Sequence, residues 1–91
     1  MSEKKQEYAV LLKPAAKRQI KKLPADIQSE VIQILKTLRG NPRPPGATNV
    51  IQAPGHYRIR VRGYRIVYIV NDKEKHVVII KAAKRDEVYG R

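Results

Sequence analysis

Seven cationic side chains, Lys36, Arg39, Arg43, Arg58, Arg60, Arg62 and Arg65, lie between Glu30 and Asp72, and no acidic residue interrupts them. A surface charged only for solubility mixes its signs, so this run points to a polyanionic partner. Arginine is suited to one chemistry in particular. Its planar fork of donors matches the oxygens of a phosphate in pairs, and it keeps its charge throughout. Clustered guanidinium groups can therefore hold a phosphodiester and stabilise the crowded dianionic phosphorane formed when a ribose 2′-OH attacks it. They are poor proton acceptors. The group nearest neutrality in the same region is His56, beside Gly55; His76 adjoins the Lys73–Lys75 turn and reads as structural.

The spacing of these arginines predicts a common face. Residues 56–62 and 64–70 read as two strands around Gly63, with Arg62-Gly63 as a two-residue hairpin loop. Val61 then faces Tyr64, Arg60 faces Arg65, Ile59 faces Ile66, Arg58 faces Val67 and Tyr57 faces Tyr68. Directly opposed side chains share a face of the sheet. Tyr57, Ile59, Val61, Tyr64, Ile66 and Tyr68 make one apolar side, while Arg58, Arg60 and Arg65, with His56 in the same parity, make the other. Arg60 opposite Arg65 is a like-charge pair that weakens a hairpin, and an anion between the two would relieve it.

The elements that must carry this hairpin follow from periodicity. Tyr8–Leu12 reads as a strand, and residues 1–7 are expected to fray. Pro14 starts a helix in which Ala16, Ile20 and Leu23 form a stripe. Pro24 opens a second helix with Ile27, Val31, Ile34, Leu35 and Leu38 at helical spacing, Asp26 in its first turn and Gly40 at its end. Residues 40–55 hold four of the six prolines and read as loop, with Val50-Ile51 as a short edge strand. A third long strand, 75–82, follows the turn Asn71–Glu74 and is apolar on both faces, as a central strand would be. Antiparallel to 64–70, it brings Arg85 and Tyr89 near Arg65. The order β-α-α-β-β-β predicts an α+β fold, two helices packed on one face of a small, mostly antiparallel sheet.

The chain has 91 residues, a formal net charge of +12 and no cysteine. That length suits one domain over 1–91, and the 42% hydrophobic fraction suits a folded one. Disulfides, thiolate nucleophiles and cysteine-based zinc sites are excluded. Two separated histidines make no metal site, and neither metal nor cofactor is expected. No apolar run has the length of a membrane span and Met1–Lys5 leads into no signal-like segment, so a cytoplasmic protein is expected. Gly-rich phosphate loops and nucleophile elbows are missing from the sequence.

Tyr57-Arg58-Ile59-Arg60-Val61-Arg62-Gly63-Tyr64-Arg65-Ile66-Val67-Tyr68, with Lys84-Arg85-Asp86-Glu87-Val88-Tyr89, resembles the RelE/ParE superfamily of bacterial and archaeal toxins. The Tyr8–Leu12 strand, Ala16 to Leu23-Pro24 and Asn41-Pro42 fit as well, so the likeness spans about residues 8–89. Resemblance to the RelE branch implies a ribosome-dependent endoribonuclease that cuts mRNA in the A site by 2′-OH attack without metal. It also implies the 70S ribosome with mRNA and 16S rRNA as partner, and a RelB-like antitoxin, expected to be acidic against so basic a toxin, in a hetero-oligomer.

On that likeness the catalytic set is Arg58, Arg60, Arg65, Arg85 and Tyr89. Arg65 and Arg85 would stabilise the phosphate, Arg85 would also serve the leaving group, and Tyr89 would stack on the nucleotide. Arg62, Lys81, Lys84 and His56 are further candidates for RNA contact. The best-known RelE pattern has lysine where Arg58 and Arg60 stand, which leaves the proton acceptor to His56, a water or the ribosome. Two other readings share the charge. One is a ParE-type inhibitor of DNA gyrase on the same fold; the other is a basic ribosome- or RNA-binding module without catalysis.

Overall fold

Two prolines decide where the helices begin. The protein is described here by a computed structural model over residues 7–84. The first strand, β1 (Ala9–Leu12), runs into α1 (Pro14–Lys21), where Pro14 takes a first-turn position whose N–H would have no helical partner. Pro24 stands immediately before α2 (Ala25–Gly40). In the first turn of α2, Asp26 accepts a hydrogen bond from the N–H of Ile27. Gly40 belongs to the last turn of this helix rather than to a left-handed cap, and the N–H of Asn41 closes the end on the carbonyl of Thr37.

After a loop come β2 (Thr48–Asn49), β3 (His56–Val61), β4 (Tyr64–Asn71) and β5 (His76–Lys84). The short edge strand lies two residues before the expected Val50-Ile51; Ile51 is 85% exposed at the tip of the loop that follows. All five strands form one sheet in the order β1-β5-β4-β3-β2, antiparallel throughout except for the parallel β1–β5 pair. The fold is therefore α+β, as the sequence predicts.

The helices cover one face. Ala16, Ile20 and Leu23 from the first helical segment and Val31 and Leu38 from α2 are buried with Ile59, Val61, Ile66, Tyr68, Val77 and Ile79 of the sheet. Burying a side chain of this kind is worth about 1.5–3 kcal/mol, so this layer holds the sheet in place. No helix of the described residues is long and apolar enough to cross a membrane.

One irregularity matters for the site. Val67 pairs with Lys81 but Tyr68 pairs with Ile79, so Ile80 is an extra residue on β5. Such a bulge reverses the parity of the strand beyond it. It lets Ile79 and Ala82 both face the helices while Lys81 faces away. Where β1 ends, the side-chain oxygen of Gln19 on α1 accepts the N–H of Ala82 at 2.8 Å, which supplies a partner at the exposed flank of β5.

Candidate nucleic-acid interface

The hairpin has the predicted register at every pair from His56↔Ile69 to Val61↔Tyr64, including Arg60↔Arg65. Arg62 and Gly63 both have positive φ, 47° and 85°, as a two-residue type I′ loop requires. Main-chain directions fix the spacing across the ladder. The carbonyl of Gly55 accepts from Val70 of β4, whereas that of His56 accepts from Val50 on the other side. Odd-numbered residues of β3 therefore bond to β4, and even-numbered ones point their N–H and C=O outward. Arg60 and Arg65 meet at a non-hydrogen-bonded position, the closer of the two kinds, with Cα atoms about 4.5 Å apart in a regular sheet.

The same face continues across β5. Arg65 is opposite Ala83, and Val67, which faces Arg58, is opposite Lys81. Thus Arg58, Arg60, Arg65 and Lys81 come from three strands to one side of the sheet, away from the helices. They are not equivalent. Arg60 is exposed and Arg58 half-buried on β3, but Arg65 is only 3% exposed, because β4 lies between β3 and β5. A small residue, Ala83, beside Arg65 leaves room for the guanidinium.

Other predicted contacts fall elsewhere. Arg62 turns to the helix side, where its guanidinium binds Glu30 at 2.7 Å and Asp26 at 3.2 Å. Lys84 pairs with Tyr64 and lines a recess with Gln19, Lys22 and Leu23, so it lies on the helix-facing side, apart from the arginines. His56 has the parity of the arginine face, but it lies four positions from Arg60, about 13 Å along β3. Its Nδ1 lies 3.1 Å from the carbonyl of Pro54, a contact that requires the proton on Nδ1. Arg85 and Tyr89, and with them Asp86 and Glu87, lie outside the described residues.

A second charged group was not foreshadowed by spacing. Arg43 donates to both carboxylate oxygens of Asp72, at 2.7 and 3.1 Å, and through Nε to the hydroxyl of Tyr57 at 2.8 Å. Tyr8 donates to Asp72 at 2.6 Å. This clasp ties the start of β1, the loop after α2 and the β4–β5 turn together. The two hydrogen bonds from Arg43, reinforced by that from Tyr8, hold the Asp72 carboxyl at about 2, below the ordinary 3.8; the same contact raises Arg43 further above its usual range. A carboxyl lowered in the folded state stabilises the protein above its unfolded value and loses that effect as pH falls through its folded value. Asp72→Asn should therefore lower the thermal midpoint at pH 5–7, and the difference from the unmodified protein should close between pH 4 and 2. A gap that stays constant down to pH 2 would mean that the carboxylate charge is not what holds the clasp.

The ion pairs also sort the acid-free run. Arg39 pairs with Glu7, Arg43 with Asp72 and Arg62 with Asp26 and Glu30, whereas Arg58 and Arg60 form no ion pair among the described residues. Among the described residues the hairpin charge without an ion pair is thus that of Arg58 and Arg60 on β3.

Residues 10–89 match the ParE toxin family of type II toxin–antitoxin systems, parDE. The chain belongs to the ParE toxin family. It is a toxin of the RelE/ParE superfamily, and several similar solved structures carry the RelE name. The isolated Escherichia coli RelE toxin is 29% identical, with a TM-score of 0.76 over 91% of this chain and 92% of that one. The toxin–antitoxin complex RelBE2 of Mycobacterium tuberculosis gives 26% and 0.74 over 87% and 99%. The archaeal RelE–RelB complex of Pyrococcus horikoshii, 24% identical with a TM-score of 0.75 over 87% and 96%, shares the fold. No curated protein matches this ParE-family chain in sequence.

Proposed function

We propose that this toxin is a ribosome-dependent endoribonuclease that cleaves mRNA in the A site by attack of a ribose 2′-OH on the adjacent phosphate. The observation that carries the reading is the Arg60–Arg65 pair, directly opposed on the face away from the helices and flanked by Arg58. Two like charges directly opposed on neighbouring strands repel each other. A phosphorane gaining charge between two forked donors turns the repulsion into transition-state binding. Arg65, shielded from water, acts on that charge more strongly than the exposed Arg60. Arg58 and Lys81 extend the positive face along the RNA backbone. Arg85 and Tyr89 complete the set by correspondence with RelE, as a second phosphate donor and a base-stacking ring. The proton acceptor is a water, a ribosomal group or His56, whose distance from the arginine pair makes it the least suited of the three.

The setting is the cytoplasm, the substrate partner is the 70S ribosome with its mRNA and 16S rRNA, and an acidic RelB-like antitoxin neutralises the toxin in a hetero-oligomer. RelB-type antitoxins accompany the toxin in the Mycobacterium tuberculosis and Pyrococcus horikoshii complexes. A second reading, inhibition of DNA gyrase, is favoured by one observation, the match to the ParE family. Purified toxin added to translating ribosomes, with mRNA ends mapped by primer extension, separates them. New ends at A-site codons support the nuclease; intact mRNA together with arrested supercoiling by gyrase supports the ParE reading. Arrested translation on intact mRNA with gyrase unaffected, unchanged by Tyr89→Ala, indicates a binding module.

A further inference from the structure

Lys13, Lys17, Arg18, Lys21 and Lys22, in and beside α1, form a second cationic run, with no acid between Glu7 and Asp26. All five are exposed, and none has an ion pair among the described residues. The run ends at a recess of about 210 Å³ bordered by Gln19, Lys22, Leu23, Tyr64 and Lys84. The flank of β5 forms its inner wall. There β1 pairs only as far as Leu12↔Ile79, and the bulge at Ile80 changes which residues face outward. Arg65 and Ala83 are bonded to each other across the β4–β5 ladder, so Ala82 and Lys84 point their N–H and C=O away from β4. Gln19 takes the N–H of Ala82 at 2.8 Å. The carbonyl of Ala82 and the N–H of Lys84 are thus an acceptor and a donor side by side, next to the half-buried ring of Tyr64.

We infer that this recess binds one unpaired base of an RNA strand. The base edge bonds to the carbonyl of Ala82 and the N–H of Lys84, its face lies against Tyr64, and the flanking phosphates meet Lys22 and Lys84. Every base carries a donor beside an acceptor on its Watson–Crick edge, so the site tolerates any sequence but requires that edge to be unpaired. The volume, that of about seven water molecules, suits one heterocycle rather than a base pair. An aromatic ring beside lysines is the usual setting for a single-stranded base. A peptide strand fits less well, since Gln19 already takes the Ala82 N–H and an added strand would find only one carbonyl and one N–H. Lys84, which the register of β5 separates from the arginines, here gains an RNA contact of its own. The inference deepens the RNA-directed reading without resting on cleavage. Binding is tested on the toxin alone, so its failure leaves the nuclease reading standing.

The test titrates the full chain with hexauridylate and follows NMR signals. The Leu23 methyls, the Tyr64 ring and the Lys84 amide report on the recess, and the Val67 methyls report on the arginine face. The three recess signals should move together with one affinity. Methylation of every uracil at N3 removes the base donor, and should weaken binding at the recess by about tenfold or more, one hydrogen bond being worth roughly that. The response of Val67 should stay within about threefold. Lys22→Gln, an exposed substitution, should lower the slope of log Kd against log salt at the recess by about 0.7, the loss of one single-strand phosphate contact. Equal recess affinity for the methylated hexamer, or signals that move only at Val67, overturns the proposal. So does inorganic tripolyphosphate that moves the three recess signals as the hexamer does, since lysines alone would then suffice. Uridine monophosphate bound as tightly as the hexamer identifies a free nucleotide as the ligand and overturns the assignment to an RNA strand.

Discussion

Arg65→Ala should reduce cleavage of mRNA on translating ribosomes by about 10²–10³-fold, the usual loss when one preorganised donor to a developing oxyanion is removed. Three features make this the largest functional effect expected within the described residues. The side chain is 3% exposed, so its charge is poorly screened; β4 is an inner strand, so its position is fixed; and Arg60 stands directly across the ladder. Arg65→Lys keeps the charge but loses the fork, and should recover only part of the rate. Arg60→Ala, at an exposed position, should cost about tenfold, because a donor in water is worth less than one out of it. By correspondence with RelE, Arg85→Ala should resemble Arg65→Ala. Primer extension measures all four, with circular dichroism to confirm that each variant folds. Full activity in folded Arg65→Ala would remove the arginine pair from the mechanism.

Tyr68→Ala should destabilise the fold by about 3–5 kcal/mol, the cost of emptying a large aromatic site in a core. A domain of this size has only about 5–15 kcal/mol in total, so the variant should lie close to unfolding at 37 °C. The ring is fully buried and stacks on Tyr57 with centroids 5.8 Å apart, while its hydroxyl donates to the carbonyl of Pro42 at 2.8 Å. Tyr68→Phe keeps the ring and leaves that carbonyl without its donor, for about 1–3 kcal/mol. Urea denaturation distinguishes the two losses.

The pH dependence gives a second check on the same residue. Burial pushes the Tyr68 phenol up to about 12 from 10.0. A group raised in the folded state gives its stability below the unfolded value and loses it as pH rises through the folded one. Between pH 10 and 12 the unmodified protein should lose stability that the Phe variant has no phenol to lose.

Both predictions rest on the hairpin, which was the most legible part of the sequence. Arg62-Gly63 fixes a two-residue loop, and once the loop length is set, every opposed pair and both faces follow by counting. The helices were legible through their prolines and apolar stripes. What counting along the chain could not supply was contact between distant segments. Arg43 and Asp72 are 29 residues apart and meet only because the loop after α2 lies over the β4–β5 turn. Arg62 belongs by sequence to the same basic run as Arg58 and Arg60, but at the turn it swings to Asp26 and Glu30, the acids near the head of α2.

Lys84 shows a different limit. It adjoins the Arg85 motif, yet β5 register puts it opposite Tyr64 on the helix side. The bulge at Ile80 had no local marker either, since Val77 to Ile80 are interchangeable as strand formers. Only the demand that both Ile79 and Ala82 be buried reveals it. The burial of Arg65 follows from the place of β4 between two strands, a property of topology rather than of its neighbours in sequence.

The parallel pairing of β1 with β5 sets the order in which the molecule can be finished. The first strand to leave a ribosome during synthesis has no ladder partner until the last one, His76 to Ile79, has been made. Every earlier intermediate carries β1 as an unpaired edge, with Leu11 and Leu12 exposed even in the finished protein. Closing so long a span of chain is entropically expensive and slow. Completion of the sheet therefore waits for β5, and the flank that brings Lys81 to the arginine face forms only once His76 to Lys84 has been made. The basic face, shared by β3, β4 and β5, is thus the last part of the described sheet to be completed.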